Sequence, residues 1–408
     1  MIQKMFAERI GGESFGKDTT IYKFAMIKKA KEEALRKNPH RKMIDMGVGE
    51  PDTAASDEIV EVLRNEAGKP ENRFYSDNGI PEFNEAACRY MENVFGVSGL
   101  NSEKHVLHGI GSKPILAMLP TCFINSGDVT LATVPGYPVL STWTRYMDGE
   151  VVNLPLTPEN HFFPDLEQVS ARVLERAKLL YINYPNNPTG QVATKEFYKK
   201  VVKFAKEHRI LVVADSAYAN LTYDGEQPLS FLSTEGAMDV GVELHSLSKA
   251  YNMTGWRMAF AVGNPLVIQA YGAVKDNSDS GQFRAIQQAG IYAMNHPQIT
   301  EGIRRKYSRR FDKLVVALKE IGFQVEKPKG SFFLYAKAPK GTLEGRTFHS
   351  AQEVSRYIIE EASVSLVPWD DAGSFLRFSV TFEASSEAEE NTIIQEMKQR
   401  FFALNLTF

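Results

Sequence analysis

The apolar residues of this chain fall into two textures. From about residue 105 to 265, short runs rich in β-branched residues alternate with stretches of helical spacing. DVTLATV, KLLYINYP, RILVVADS and VGVELHSL have strand length, are apolar on both faces and end in turn residues. Between two of them, TKEFYKKVVKFAKEH puts Phe197, Val201, Phe204 and Ala205 on one helical face and lysines on the other. Such runs, interleaved with helices, predict an α/β fold with a mostly parallel central sheet covered by helices. Ligands of such sheets bind at the carboxyl ends of the strands. After about residue 300 the pattern changes to a basic helix (RRKYSRRFDKLVVALKEIG) and two strands joined by KPKG within FQVEKPKGSFFLYAKA. A helix (SAQEVSRYIIEEA), an apolar segment (SVSLVPW) and a strand (SFLRFSVTF) follow, which together read as a smaller α+β domain. The Lys-rich helix YKFAMIKKAKEEALRK near the start is expected to pack with that part. The expected division is residues 1–45 as an N-terminal arm and part of the small domain, 46–295 as the large domain, and 296–408 as the small C-terminal domain.

Length and composition narrow the function. At 408 residues, 43% hydrophobic and 24% charged, the chain has the make-up of a globular protein with two domains. A net charge of −3 offers no attraction to nucleic acid or an anionic membrane, and neither is expected as a partner. Cys88 and Cys122 cannot build a disulfide framework and fit a reducing compartment. MIQKMFAERIGG lacks the apolar core of a secretory signal, and ILAMLPTCFI is half the length of a membrane span. A cytoplasmic location is expected. The eight histidines form no metal-binding spacing, and His105-x-x-His108 is too weak to argue for one, so no metal is expected.

Five stretches carry chemistry, and all fall at the ends of the apolar runs or inside one. In LHGIGSKPILAML a strand-like run ends at Gly109, and Gly111, Ser112 and Lys113 open a helix whose free N–H groups can hold an anion. The spacing fits neither the dinucleotide fingerprint nor the nucleotide-triphosphate loop, and an ordinary turn explains it equally well. In YINYPNNPTG, Asn187 sits at a strand's carboxyl end, although most such stretches are only turns. In ILVVADSAY, Asp215 ends a central-type strand, where a buried carboxylate needs a cation or donors. The plain alternative is a cap on a following helix, SAYANL. In HSLSKAYNMTGWR, Lys249 stands beside Ser246 and Ser248, with Arg257 eight residues on. Desolvation and neighbouring cations would make that amine nucleophilic, and the hydroxyls and guanidinium suit a phosphate. In SFLRFSVTF, Arg377 interrupts an apolar strand and demands a planar anion, supplied by a ligand or by an internal ion pair.

Taken in order, Asn187, Asp215, Tyr218, Lys249, Arg257 and Arg377 on this strand pattern resemble the fold-type I pyridoxal-phosphate enzymes, specifically the class I/II aminotransferases. The likeness spans nearly the whole chain and rests on N-P-T-G, D-x-x-Y and S-x-S-K followed by its arginine. It implies an aminotransferase-like large domain and the cofactor pyridoxal 5'-phosphate. It also implies roles. Lys249 would join the cofactor covalently and move the substrate proton. Asp215 would pair with the pyridine nitrogen, and Asn187 and Tyr218 would bond the ring's 3-oxygen. Ser112, Lys113, Ser246, Ser248 and Arg257 would hold the phosphate, Tyr137 would stack on the ring, and Arg377 would take the substrate carboxylate. Relatives of this kind are homodimers in which a tyrosine reaches the partner's phosphate. That position falls in RFYSDNGIPEF, on Tyr75 in preference to Phe74.

Within the family, GGESFGKDTTIYKF, IDMGVGEPD, GIGSKPILAMLP, VKDNSDSGQF and VPWDDAG are most similar to the LL-diaminopimelate aminotransferases. By that resemblance Tyr22 and Gly49 line the substrate site, with Asp77 or Asn78 near its far end. The partners implied are small amino and keto acids. AVKDNSDSGQF has no arginine before Arg284, against a dicarboxylate-specific reading, although Lys275 or Arg284 could substitute. An aromatic or broad-specificity aminotransferase, or a C–S β-lyase of the same fold, shares every cofactor residue and stays open. A regulator that had lost the chemistry would lack Lys249 or Asp215, and both are present.

Overall fold

The structure, a computed structural model, describes residues 2–17 and 23–408. A short strand, β1 (Ile44–Asp45), precedes a seven-stranded sheet. Its strands are β2 (Val106–Gly109), β3 (Val129–Val134), β4 (Glu150–Pro155), β5 (Ala177–Asn183), β6 (Leu211–Asp215), β7 (Gly241–Ser246) and β8 (Ala259–Gly263). Their order across the sheet is β2-β8-β7-β6-β5-β3-β4, and only β8 runs against the rest. The four apolar runs predicted as strands are β3, β5, β6 and β7. The predicted helix between β5 and β6 spans Lys195–His208 and buries Phe197, Val201, Phe204 and Ala205 against the sheet. Helices cover both faces, so the four predicted strands are largely buried along their length, as a parallel sheet requires.

The remaining strands lie after residue 330: β9 (Phe333–Lys337), β10 (Gly341–Thr342), β11 (Val364–Ser365), β12 (Val367–Trp369), β13 (Phe375–Ser379) and β14 (Leu406–Thr407). β12, β13 and β9 form an antiparallel sheet with Arg377 on its central strand. β1 pairs in parallel with β11. The helix Lys23–Lys37 buries Ile27, Ala30 and Ala34 against Ile359, Val367 and Trp369 of this C-terminal layer.

Two local expectations fail, each because backbone donors find other partners. FQVEKPKGSFFLYAKA is no hairpin: only its second half is a strand, while Phe323 and Val325 bury their side chains in the C-terminal core. SAYANL is no helix. After Asp215 accepts from the Ala217 N–H at 3.2 Å, the chain makes two successive turns, and the carbonyl of Leu221 and the N–H of Tyr223 bond residues 331 and 329.

A buried ion cluster joins the layers. Arg310, on the helix Ile299–Ile321, is fully buried and bonds Asp52 at 3.0 Å, Glu390 at 2.9 Å and the carbonyls of Val380 and Phe382. Lys306 and Tyr307 also hold Asp52, at 2.8 and 3.1 Å, while Arg309 grips Glu390 with two bonds. Asp52 thus pins the loop that contains Gly47 and Gly49. Because removing one partner strands a buried charge, Glu390→Ala is expected to lower the unfolding free energy by about 3 kcal/mol. Glu387→Ala, which breaks the exposed pair with Arg309, should change it by less than about 1 kcal/mol. Urea titration of the two variants distinguishes these outcomes.

Candidate active site

The strand ends define the site. β5 and β6 are in register with Asn183 beside Asp215, and Asp215 lies beside Leu244 of β7. β7 runs on into Leu247–Ala250, a single turn of helix carrying Lys249, and Ser246 accepts from the Ser248 N–H at 3.2 Å. Because β8 is reversed, its beginning lies at the edge where the other strands end, and this brings Arg257 to the same rim. β2 delivers Gly111 to the start of the helix Ser112–Phe123. Together with the C-terminal layer, these segments enclose a cavity of about 720 Å³.

Ser112, Lys113, Tyr137, Asn187, Asp215, Tyr218, Ser246, Ser248, Lys249, Arg257, Arg377 and Gly49 all line this cavity. Tyr75 does not: it is 79% exposed, and its carbonyl accepts from Arg284 at 2.7 Å. Tyr22 lies outside the described residues. The alternates for the far end of a substrate are also outside the cavity. Asn78 bonds Asp276, and Lys275 is buried against Asp279 and the Asp77 carbonyl.

Burial raises the Asp215 carboxyl to about 6, although the Tyr181 hydroxyl at 3.0 Å and the Ala217 N–H oppose the shift. Burial lowers the Lys249 ammonium to about 8; Glu50 opposes this, and Arg257 and Arg377 assist it. Its Nζ donates to the Gly49 carbonyl at 2.8 Å. Arg377 is buried, its Nη1 donating to Asn187 Oδ1 at 2.9 Å and its Nη2 to the Gly47 carbonyl at 3.0 Å. Its Cζ sits 3.9 Å from the Phe333 ring centroid. No carboxylate pairs with it among the described residues, so the internal ion pair is not formed there. The Ser112 hydroxyl is buried without a hydrogen-bond partner, and a Cβ on Gly111 would overlap the Arg257 guanidinium. The cavity therefore offers a cup for an anion, a carboxylate suited to a cation, a partly deprotonated amine, and a guanidinium open to a second anion.

The family described as aminotransferase class I and II matches residues 41–395. The chain belongs to that family. A curated relative named LL-diaminopimelate aminotransferase, from Methanocaldococcus jannaschii, is 53% identical to this aminotransferase, covering 100% of this chain and 99% of the relative. A protein of the same name from Methanococcus maripaludis is also 53% identical with the same coverage. Among solved structures, substrate-bound BacF from Bacillus subtilis has 35% identity and a TM-score of 0.88, covering 99% of this aminotransferase and 98% of BacF. An aspartate aminotransferase mutant from Thermus thermophilus superposes with a TM-score of 0.84 at 25% identity, covering 98% of this chain and 99% of its own.

Sequence reasoning missed several residues of the aminotransferase cavity. Tyr181 holds Asp215, and Asn183 donates to the Asp215 carbonyl at 2.8 Å while accepting from the Asn187 N–H at 2.9 Å. Both sit at alternate positions of β5 on the face of Asp215, so strand periodicity could have found them. Gly47, Phe333, Trp369 and Asp371 come from segments brought in by the C-terminal layer; IDMGVGEPD and VPWDDAG carry three of them, but their spacing gave none of them a place in the site.

The raised carboxyl has a measurable consequence. A group that holds its proton more tightly when folded makes its own ionisation oppose folding. That penalty is absent below about pH 4, grows as pH rises to about 6, and is constant above. In the ligand-free chain, Asp215→Asn is expected to match wild-type stability near pH 4 and exceed it by about 3 kcal/mol at pH 7. Urea unfolding at the two pH values measures it, and a difference that does not change with pH would contradict the assignment.

Proposed function

We propose that this chain is a pyridoxal-phosphate-dependent aminotransferase that moves an amino group between glutamate/2-oxoglutarate and LL-2,6-diaminopimelate, in lysine and cell-wall biosynthesis. The observation that carries the reaction class is the convergence of Lys249, Asp215 and Arg377 on one cavity, Asp215 and Arg377 buried, Lys249 half-buried, and none of the three in a salt bridge among the described residues. The substrate rests on the 53% identity to two LL-diaminopimelate aminotransferases over the full chain. A cytoplasmic homodimer with a division at residues 46 and 296 completes the reading. No described helix is long and apolar enough to cross a membrane.

The residues present fit pyridoxal 5'-phosphate. The unpartnered Ser112 hydroxyl, the bare Gly111 and Arg257 suit a phosphate, and the raised Asp215 carboxyl suits a protonated ring nitrogen. When bound, the cofactor supplies an electron sink for the pair left at the substrate Cα. Ser112, Lys113, Ser246, Ser248 and Arg257 would hold the phosphate. Asp215, fixed by Tyr181, would pair with the protonated ring nitrogen. Asn187 gives its Oδ1 to Arg377, which leaves its amide N–H₂ to donate with Tyr218 to the 3-oxygen. Tyr137 would cover one ring face. Arg377 would clamp the α-carboxylate, and Lys249, partly neutral near pH 8, would move the proton between the substrate Cα and the cofactor's C4′. Phe333 and Trp369 give the cavity apolar walls. Gly49 would face the substrate, and Tyr75 would reach the partner's phosphate.

Incubation with LL-diaminopimelate and 2-oxoglutarate should yield glutamate. Pyruvate released from cystathionine, with no turnover of diaminopimelate, would instead establish a C–S β-lyase. Lys249→Ala is expected to lower turnover by at least about 10³-fold and to end borohydride fixation of the cofactor to the chain. Arg377→Lys should raise KM for the amino acid by roughly ten- to hundredfold, with a smaller effect on kcat.

A further inference from the structure

The proposed phosphate cup is built from two segments far apart in the chain, Gly111–Lys113 after β2 and Arg257 before β8. They meet in space, since the Arg257 guanidinium occupies the room a Cβ on Gly111 would need. Arg257 has a left-handed backbone, φ 57° and ψ 54°, which is disfavoured for a residue with a Cβ. Something must therefore hold this turn in place, and Arg257's own contact, Nη1 to the Thr254 carbonyl at 2.9 Å, lies within the turn itself.

Besides the Thr254 hydroxyl, which donates to the Ser248 carbonyl at 3.1 Å, one side chain from elsewhere in the fold supports the turn. Gln282 Nε2 donates to the carbonyls of Trp256 at 2.5 Å and Arg257 at 2.9 Å, the two peptide groups that flank the strained residue. Its Oε1 faces His108 Nε2 at 3.0 Å. His108 is fully buried on β2, and burial lowers its pKa to about 4, so a neutral imidazole N–H donates to the amide oxygen. A single planar amide thus bridges the end of β2, which leads to Gly111, and the turn that carries Arg257. Gln282 is itself braced. Its N–H donates to Ser76 Oγ at 3.2 Å, Ser76 donates to its carbonyl at 2.7 Å, and Gln287 Nε2 donates to both at 2.8 Å. None of these four side chains lines the cavity.

From this geometry we infer that Gln282 is a positioning residue that sets the phosphate cup from behind, holding Arg257 against the Gly111–Lys113 turn without touching cofactor or substrate. The inference rests on the cup being a phosphate site. It ties the cup to the turn at residues 75–79, because Ser76 is the residue against which Gln282 is locked. Only an amide meets the requirement: a carboxylate would face two carbonyl oxygens, and an apolar chain would leave two carbonyls and an imidazole without partners.

The test compares binding of pyridoxal 5'-phosphate and of unphosphorylated pyridoxal to the cofactor-free chain. Gln282→Met keeps length and bulk while removing both donors. It is expected to weaken the phosphate ester roughly ten- to hundredfold, the worth of two hydrogen bonds, and to leave pyridoxal unchanged. His108→Gln, which disturbs the other end of the same amide, should show the same selective loss to a lesser degree. Arg257→Ala should cost less affinity in the Gln282→Met background than in the wild type, because the arginine there is already misplaced. Equal weakening of both ligands, or of neither, overturns the inference. If the wild type itself does not prefer the phosphate ester, the cup reading fails first and the role of Gln282 fails with it.

Discussion

Three charged groups without a salt bridge meet in one cavity of this molecule. Asp215 and Arg377 are buried at the rim of a central sheet, half-buried Lys249 is partly desolvated beside them, and none of the three forms a salt bridge among the described residues. A folded chain bears such a cost only where something else completes the electrostatics. The hydroxyl of Tyr181, the amide of Asn187 and the carbonyls of Gly47 and Gly49 hold the three groups in place without neutralising them. The shape of the site is thus set by dipoles that orient charges more than they cancel them.

Orientation in turn depends on the second layer. The loop with Gly47 and Gly49 leads to Asp52, which is gripped by Arg310, Lys306 and Tyr307 from a helix of the C-terminal half. Arg377 itself lies on the central strand of the C-terminal sheet. The two halves of the catalytic set therefore belong to different hydrophobic cores, and the buried ion cluster keeps them in register.

Much of this was legible in the sequence because strand ends announce themselves. Asp215, Asn187 and Lys249 each follow an apolar run directly, so the parallel-sheet rule alone placed them at one edge, and the family motifs then gave each a role. The position of Arg257 was less obvious from spacing, because it depends on β8 running backwards, which no periodicity reveals. What stayed hidden has a common cause. Phe333, Trp369 and the Gly47 carbonyl reach the cavity through long-range packing, and the hairpin and helix expected at KPKG and SAYANL were displaced when residues 221–223 and 329–331 bonded each other. Local propensity cannot see a partner more than a hundred residues away.

The reversed strand has a consequence for how the enzyme ages. β7 and β8 are adjacent and antiparallel, so Lys249 and Arg257, the residues proposed to anchor the cofactor and its phosphate, occupy the connection of one hairpin. A fluctuation that peels this hairpin from β2 and β6 loosens both anchors at the same moment, while one that spares it loosens neither. Cofactor escape and local opening of the sheet are then a single event, and the lifetime of the loaded enzyme is set by how seldom two central strands part.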